Sequence, residues 1–157
     1  MIKSDIALLD IKKQADIVVK ILHKNLLFIC LLERLNNFGL PNWYVGGGSI
    51  PQIIWNHFHN FDDNFGINDF DVVYFNSKDL SYEAEDMFIK KGEKIFKDFP
   101  IKVEIRNEAR VHLWYSKKFG RKIKPFKSVE EAISTFPTTS SAIGVSGLTR
   151  GLKVFAP

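Results

Sequence analysis

Asn68-Asp69-Phe70-Asp71-Val72-Val73-Tyr74-Phe75 carries two carboxylates inside an otherwise β-branched and aromatic run. That composition predicts a strand over Phe70 to Phe75. On a strand the side chains of residues i and i+2 share a face, so Asp69 and Asp71 stand side by side among residues that belong in a core. Two anions held this way repel each other and lose hydration. A divalent cation between them removes both costs, and the pair reads as a metal seat. A second reading stays open on these residues alone: Asp69 closes a turn and Asp71 faces water.

Upstream, Trp43-Tyr44-Val45 predicts a short strand that ends at Gly46-Gly47-Gly48-Ser49. Pro51 suits the first turn of a helix over Gln52 to Phe58, with Ser49 as its expected cap. Asn60 to Asn68, which holds Asp62, Asp63 and Gly66, is a polar turn leading into the acidic strand. Downstream, Leu80 to Phe96 predicts a charged amphipathic helix interrupted at Gly92. Ile101 to Arg106 alternates polar and apolar, a strand expected to pair beside the Asp69/Asp71 strand. Arg110 to Tyr115 fits either a helix or a strand. Ser128 caps a helix over Val129 to Ile133, with Glu131 at the capping-box position, and Leu152 to Phe155 is a late strand.

The first forty residues read as helix. Ile6, Leu9, Lys13, Ile17, Val18, Ile21 and Leu22 keep helical spacing behind Ser4 as N-cap, and Leu26 to Leu35 follows, stopped at Gly39 and Pro41. The order of elements predicts an α+β fold: a small mixed β-sheet covered by helices on at least one face, with N-terminal helices, in one domain over residues 1–157.

Composition narrows the class. The chain has 157 residues, 45% hydrophobic, with 14 phenylalanines, enough to bury a sizeable core and unlike a disordered protein. Its one cysteine, Cys30, lies in an apolar run without an activating partner, which points to core filling and a reducing, cytoplasmic setting. The apolar run Leu26 to Leu32 falls far short of the about 20 residues of a membrane span, and the first fifteen residues lack a signal-peptide pattern. A net charge of +4 suits phosphate-bearing partners without naming one. Its cations gather in Lys117-Lys118-Phe119-Gly120-Arg121-Lys122-Ile123-Lys124, a run that reads as a solvated loop or as a contact for nucleic acid. His57 and His59 point apart on a helix and make a poor joint metal site.

Glu104 adds a third acid, with Lys102 and Arg106 on its own face. A glycine-serine turn at a helix start, two acids on one strand and a third on its neighbour together form a phosphate-and-metal constellation: the turn offers backbone N–H groups and a hydroxyl, the acids hold cations. At these residues the chain resembles the nucleotidyltransferase superfamily of beta-type DNA polymerases. The matching positions are Gly48-Ser49, Asp69/Asp71 and Glu104. It looks closer still to a family of bacterial nucleotidyltransferase-like proteins of unassigned substrate, through Asp69 to Phe75, Val103 to Tyr115, and Ser128 to Val145 with Phe136-Pro137-Thr138-Thr139 and Ala142-Ile143-Gly144-Val145.

The resemblance implies a nucleotidyltransferase core with Mg2+ or Mn2+ held by Asp69, Asp71 and Glu104. It implies a nucleoside triphosphate seated by Gly47, Gly48 and Ser49, Asn107 and Arg110 as nucleotide contacts, and an unidentified acceptor hydroxyl, nucleic acid among the candidates. Pro51 stands where that family commonly has an arginine, and relatives commonly continue beyond Pro157, so the chain reads as a shortened form or a fragment. The alternative is a catalytically weak or inactive protein of this fold that binds nucleotide or regulates.

Overall fold

A computed structural model describes residue 6, residues 8–147 and residues 151–157; the expected cap Ser4 lies outside them. Ile6 is helical but residues 8–10 are not, and helix α1 (Ile11–Leu22) starts behind Asp10, whose carboxylate accepts from the Lys13 N–H at 3.0 Å and caps it there. Helix α2 (Leu26–Asn36) begins behind Asn25, whose side chain accepts from the Phe28 N–H at 2.8 Å. Strand β1 (Tyr44–Gly46) and helix α3 (Ser49–His59) flank the glycine turn. Strand β2 (Asp69–Tyr74), helix α4 (Tyr82–Ile95) and strand β3 (Lys102–Asn107) follow. A 3-10 turn (Glu108–Arg110) leads into α5 (Val111–Phe119). Helix α6 (Val129–Ile133), β4 (Gly144–Ser146) and β5 (Lys153–Phe155) complete the described elements.

The sheet runs in the order β3-β2-β1-β4-β5. β2 and β3 are parallel, joined through α4, while the other neighbours are antiparallel. This is the expected α+β class with a mixed sheet. The two faces of the sheet are used differently. Val45, Phe70, Val72, Ile105 and Val145 point into a large core shared with Ile21 and Leu22 of α1, with Phe28, Leu31, Leu32 and Leu35 of α2, and with Ile50 and Ile53 of α3. Each such side chain contributes about 1.5–3 kcal/mol on full burial. On the other face a smaller cluster of Tyr44, Val73, Val129 and Ile133 seats α6 over part of the sheet. The remainder of that face, toward the start of β2, carries the acids.

Several expectations shift for local reasons. Gly92 does not interrupt α4: a Cβ there would fall 2.6 Å from the Ile105 side chain, so the glycine lets helix and strand approach. Ser49 is the first helical residue of α3, and Gly48 takes the cap position without a side-chain bond. Ser49 Oγ instead donates back to the Gly46 carbonyl at 3.4 Å. β4 was not expected at all. It is three residues long and begins with Gly144, where a Cβ would lie 2.7 Å from Ile133 and 3.0 Å from Tyr44. Among the described residues no helix is long and apolar enough to cross a membrane.

Two buried asparagines place the loop that delivers Asp69. Asn56, 0% exposed, donates to the Asp63 and Phe65 carbonyls at 3.2 and 2.9 Å and accepts from Gln52 at 2.9 Å. Asn25 donates to the Asp63 carbonyl and to Asn64, both at 3.1 Å. Asn56→Ala removes the donor of the Phe65 carbonyl and leaves the Asp63 carbonyl to Asn25 alone, and should lower unfolding free energy by about 1–2 kcal/mol. Urea titration checks this, and a change below about 0.5 kcal/mol would show that the loop is held by other means.

Candidate active site

Pairing between β2 and β3 sets Asp69 opposite Lys102, Asp71 opposite Glu104 and Val73 opposite Arg106. Directly opposed residues on neighbouring strands project to one face, so the three expected acids share the face not filled by the large core. On the other side of β2, Asp71 is opposite Gly46. The chain then turns through Gly47 at φ +74, and a Cβ on Gly47 would sit 2.8 Å from the Asp71 carboxylate. Gly47 is therefore required twice, for its left-handed backbone and for the space Asp71 fills. Gly48, exposed, heads α3 with its N-terminal N–H groups and the positive end of its dipole directed past the turn.

The carboxylates differ in their surroundings. Burial, then the charges of Asp69 and Glu104, push Asp71 up to about 6, with Arg106 and Lys102 opposing. Glu104 is held below its usual range, chiefly by a short hydrogen bond from the Lys102 ammonium and also by Arg106, whose Nη2 lies 3.2 Å away. Among the described residues no three His, Cys, Asp or Glu side chains converge into a ready metal cage. The backbone brings the acids to one face, while the side chain of Glu104 is engaged by its own strand's cations. The oxygen-only donor set and the crowding at Asp71 fit a hard divalent ion such as Mg2+ or Mn2+.

The expected nucleotide contacts are occupied elsewhere. Asn107, 3% exposed, accepts from the Asn76 and Ala109 N–H groups at 3.0 and 3.2 Å and donates to the Asn76 carbonyl at 2.9 Å. Arg110 makes a short ion pair with Glu85 and donates through Nε to the Leu80 carbonyl at 2.9 Å. Both fasten the end of β3. His112 leaves Nδ1 buried without a partner.

Sequence reasoning missed Glu108. It is 8% exposed, and its carboxyl is raised to about 7 by burial and then by the Asp71 charge. The alternation Glu104, Arg106, Glu108 places it on the acid-bearing face, a signal obscured by its position in a stretch that reads as a turn. A cavity of about 300 Å3 opens beside Asp69, between Gly48, Ser49, Gln52 and the hydroxyl-bearing residues Thr138, Ser140 and Ser141.

Both raised carboxyls destabilise the ion-free fold as they ionise. Their folded values, about 6 and about 7, exceed the ordinary 3.8 and 4.5, so the penalty is absent below about pH 4, grows through both folded values and is complete by about pH 8. Asp71, only partly buried, accounts for about 1–2 kcal/mol of it after solvent screening. Urea titration in chelator should therefore show lower stability at about pH 8 than at about pH 5, and Asp71→Asn should narrow the gap. An unchanged gap would mean that Asp71 is not under this strain. Gly47→Ala forces a left-handed alanine against the Asp71 carboxylate and should cost about 2 kcal/mol, read from the same titrations; a neutral result would remove the turn's close contact with Asp71.

Comparison with known proteins gives consistent results. The family model described as Nucleotidyltransferase matches residues 33–157. A solved structure titled "The NMR structure of the protein reveals a CCA-adding enzyme head domain" is similar in fold, with TM-score 0.65 and 23% identity over 83% of this chain. The present chain spans 64% of that one. Comparison with curated protein sequences finds no match. With the match covering Glu33 to the end, the acidic strands and the glycine turn included, the chain belongs to this nucleotidyltransferase family.

Proposed function

We propose that the protein transfers a nucleoside monophosphate from a nucleoside triphosphate to an acceptor hydroxyl, in a Mg2+- or Mn2+-dependent reaction. The observation that supports this best is the register that puts Asp71 beside Glu104 on one face, next to the Gly47 turn. Asp69 and Asp71 would hold the ion, with Glu104 as a third ligand once it leaves Lys102. A divalent ion held there would supply Lewis-acid chemistry, lowering the pKa of the attacking hydroxyl and offsetting charge on the leaving pyrophosphate. Glu104, freed from its cations, accepts the proton of that hydroxyl.

The triphosphate occupies the cavity beside Asp69. Backbone N–H groups at the start of α3 and the side chains of Ser49, Gln52, Thr138, Ser140 and Ser141 donate to its oxygens. Pro51 contributes no N–H and no charge, so this seat relies on neutral donors. Arg106, with its side chain 59% exposed, replaces Arg110 in this reading as the cation nearest the reacting phosphate. Asn107 and Arg110 act indirectly, by fixing the end of β3. The fold likeness to a structure described as a CCA-adding enzyme head domain supports a transferase of nucleotides, and the lone cysteine agrees with a reducing, cytoplasmic setting.

One observation favours the second reading, a nucleotide-binding module without turnover. Glu104 is already satisfied by Lys102 and Arg106, which lowers its tendency to move to an ion. Thermal melts with Mg2+ or Mn2+ and each nucleoside triphosphate separate the cases. Ligand at a hundred times its Kd adds about 2.7 kcal/mol, several degrees in Tm. The rise should require both ion and nucleotide and vanish in Asp69→Asn/Asp71→Asn. Incubation with α-labelled triphosphates should then yield a labelled acceptor and pyrophosphate. Stabilisation without label transfer supports the binding module, and no stabilisation by any triphosphate removes both readings.

A further inference from the structure

We infer that α5 and the segment after it form a docking ridge for single-stranded nucleic acid. None of the nine residues of α5 is buried, so its side chains are not spent on the core. Leu113, Trp114 and Phe119 are 53%, 38% and 53% exposed. Trp114, Tyr115 and Phe119 form a connected aromatic surface, with ring centroids 6.2 Å, 4.6 Å and 6.5 Å apart in the pairs Trp114–Tyr115, Tyr115–Phe119 and Trp114–Phe119. The pairs Trp114/Lys118 and Tyr115/Phe119 are spaced i, i+4 and so lie along one side of the helix.

Charge selects the occupant. From Val111 to Val129 the chain has six cations, Lys117, Lys118, Arg121, Lys122, Lys124 and Lys127, and no acid. That local excess is larger than the net +4 of the whole chain, so the remainder is net acidic. The centre of a protein–protein interface is depleted in lysine and in unbalanced charge; a polyanion needs both the cations and their single sign. The cations are already interleaved with the rings. Lys118 Nζ lies 5.7 Å from the Trp114 ring centre and 5.3 Å from that of Phe119. The Arg121 guanidinium lies 5.7 Å from the Tyr115 ring and donates to its hydroxyl at 3.0 Å. These long exposed side chains can swing to phosphates and leave the ring faces to bases, a combination that suits unpaired strands and not a duplex, whose bases are already stacked.

α5 leaves the sheet through the 3-10 turn that follows β3, the strand of Glu104, with the exposed cations Lys102 and Arg106 on the same strand. The ridge thus continues from the edge of the acid-bearing face. Taken together with the transfer reading of that site, which this further step requires, a strand held on the ridge supplies the acceptor hydroxyl. Binding itself stands independently of the chemistry.

Fluorescence anisotropy with labelled fifteen-nucleotide oligo-dT and oligo-U, and with a duplex of equal length, tests the ridge on the full chain. Single strands should bind more tightly than duplex, and affinity should fall with salt. Trp114→Ala/Phe119→Ala should weaken binding about tenfold or more. Lys117→Gln/Lys118→Gln should reduce the log–log salt slope by about 1.4, two phosphates' worth for a single strand. Both pairs are on an exposed helix, and unchanged melting curves confirm folding. Asp69→Asn/Asp71→Asn should bind the oligonucleotide at least as well as the parent, and the ridge variants should keep the ion-dependent stabilisation by triphosphate. Transfer failing while binding persists therefore removes the catalytic reading alone. The ridge is overturned if neither strand binds at low salt, if duplex is preferred, or if the variants bind like the parent. It is also overturned if sedimentation shows that Trp114→Ala/Phe119→Ala abolishes self-association without affecting oligonucleotide binding.

Discussion

The parallel pairing of β2 with β3 sets Asp71 directly beside Glu104, and most of what the site can do depends on that register. A slip of one residue would send Glu104 to the helix-covered face, where an ionised carboxylate has no partner, and would bring Val103 or Ile105 out in its place. The register is held at its far end by polar groups. Glu85, 7% exposed, accepts from the Asn107 N–H at 2.8 Å and pairs with Arg110, while Asn107 bonds both backbone groups of Asn76. A buried pair of this kind costs about 3–5 kcal/mol to break from one side. It also has a preferred geometry, which an apolar contact would lack.

The same register makes the ion-free site electrostatically uneven. Lys102 and Arg106 serve as internal counterions for Glu104, whereas Asp71 is crowded by carboxylates and poorly hydrated. On the proposed reading, an incoming divalent ion would meet two kinds of ligand. At Asp71 it would relieve repulsion, which favours binding; at Glu104 it would have to displace an ammonium, which opposes it. The apolar face under α1, α2 and α3 offsets the cost of assembling the acids, so the strain stays local to the start of β2 and the turn at Gly47.

Elements with strong periodicity were legible from sequence: α2, α4, β2, β3 and α6 lie close to their expected spans, and the glycine turn sits where its residues require it. The elements that escaped are short or tertiary in origin. β4 is three residues beginning with a glycine, and it exists because β1 offers an edge to pair with. Gly92 looks like a helix break until Ile105 is seen beneath it. On the site, alternation put Asp69 and Asp71 on one face, whereas Glu104 was joined to them through an expected strand pairing, and its face is fixed by the β2–β3 register. Arg110 could not be assigned, because its partner Glu85 lies on another element and sequence spacing holds no record of that contact. Glu108 was hidden for the opposite reason: its alternation with Glu104 was readable, but only burial beside Asp71 makes it part of the acid group.

Net charge says little about how such a molecule meets a phosphate chain, because the charge is segregated. The sheet face around Asp69, Asp71, Glu104 and Glu108 is acidic and repels a polyanion unless cations intervene, whereas residues 111–129 are uniformly basic. At physiological salt, exposed charges act over about 8 Å. The two regions therefore act nearly independently on a partner longer than that distance, and one strand can be attracted at one end and resisted at the other. Lys102 and Arg106, on the edge strand between the regions, are the cations that such a strand would meet on its approach to Asp71. They are also the cations that now hold Glu104. On the proposed reading, a phosphate that drew them away would release Glu104 toward the acid pair and so would link partner binding to completion of the ion seat through the same two side chains.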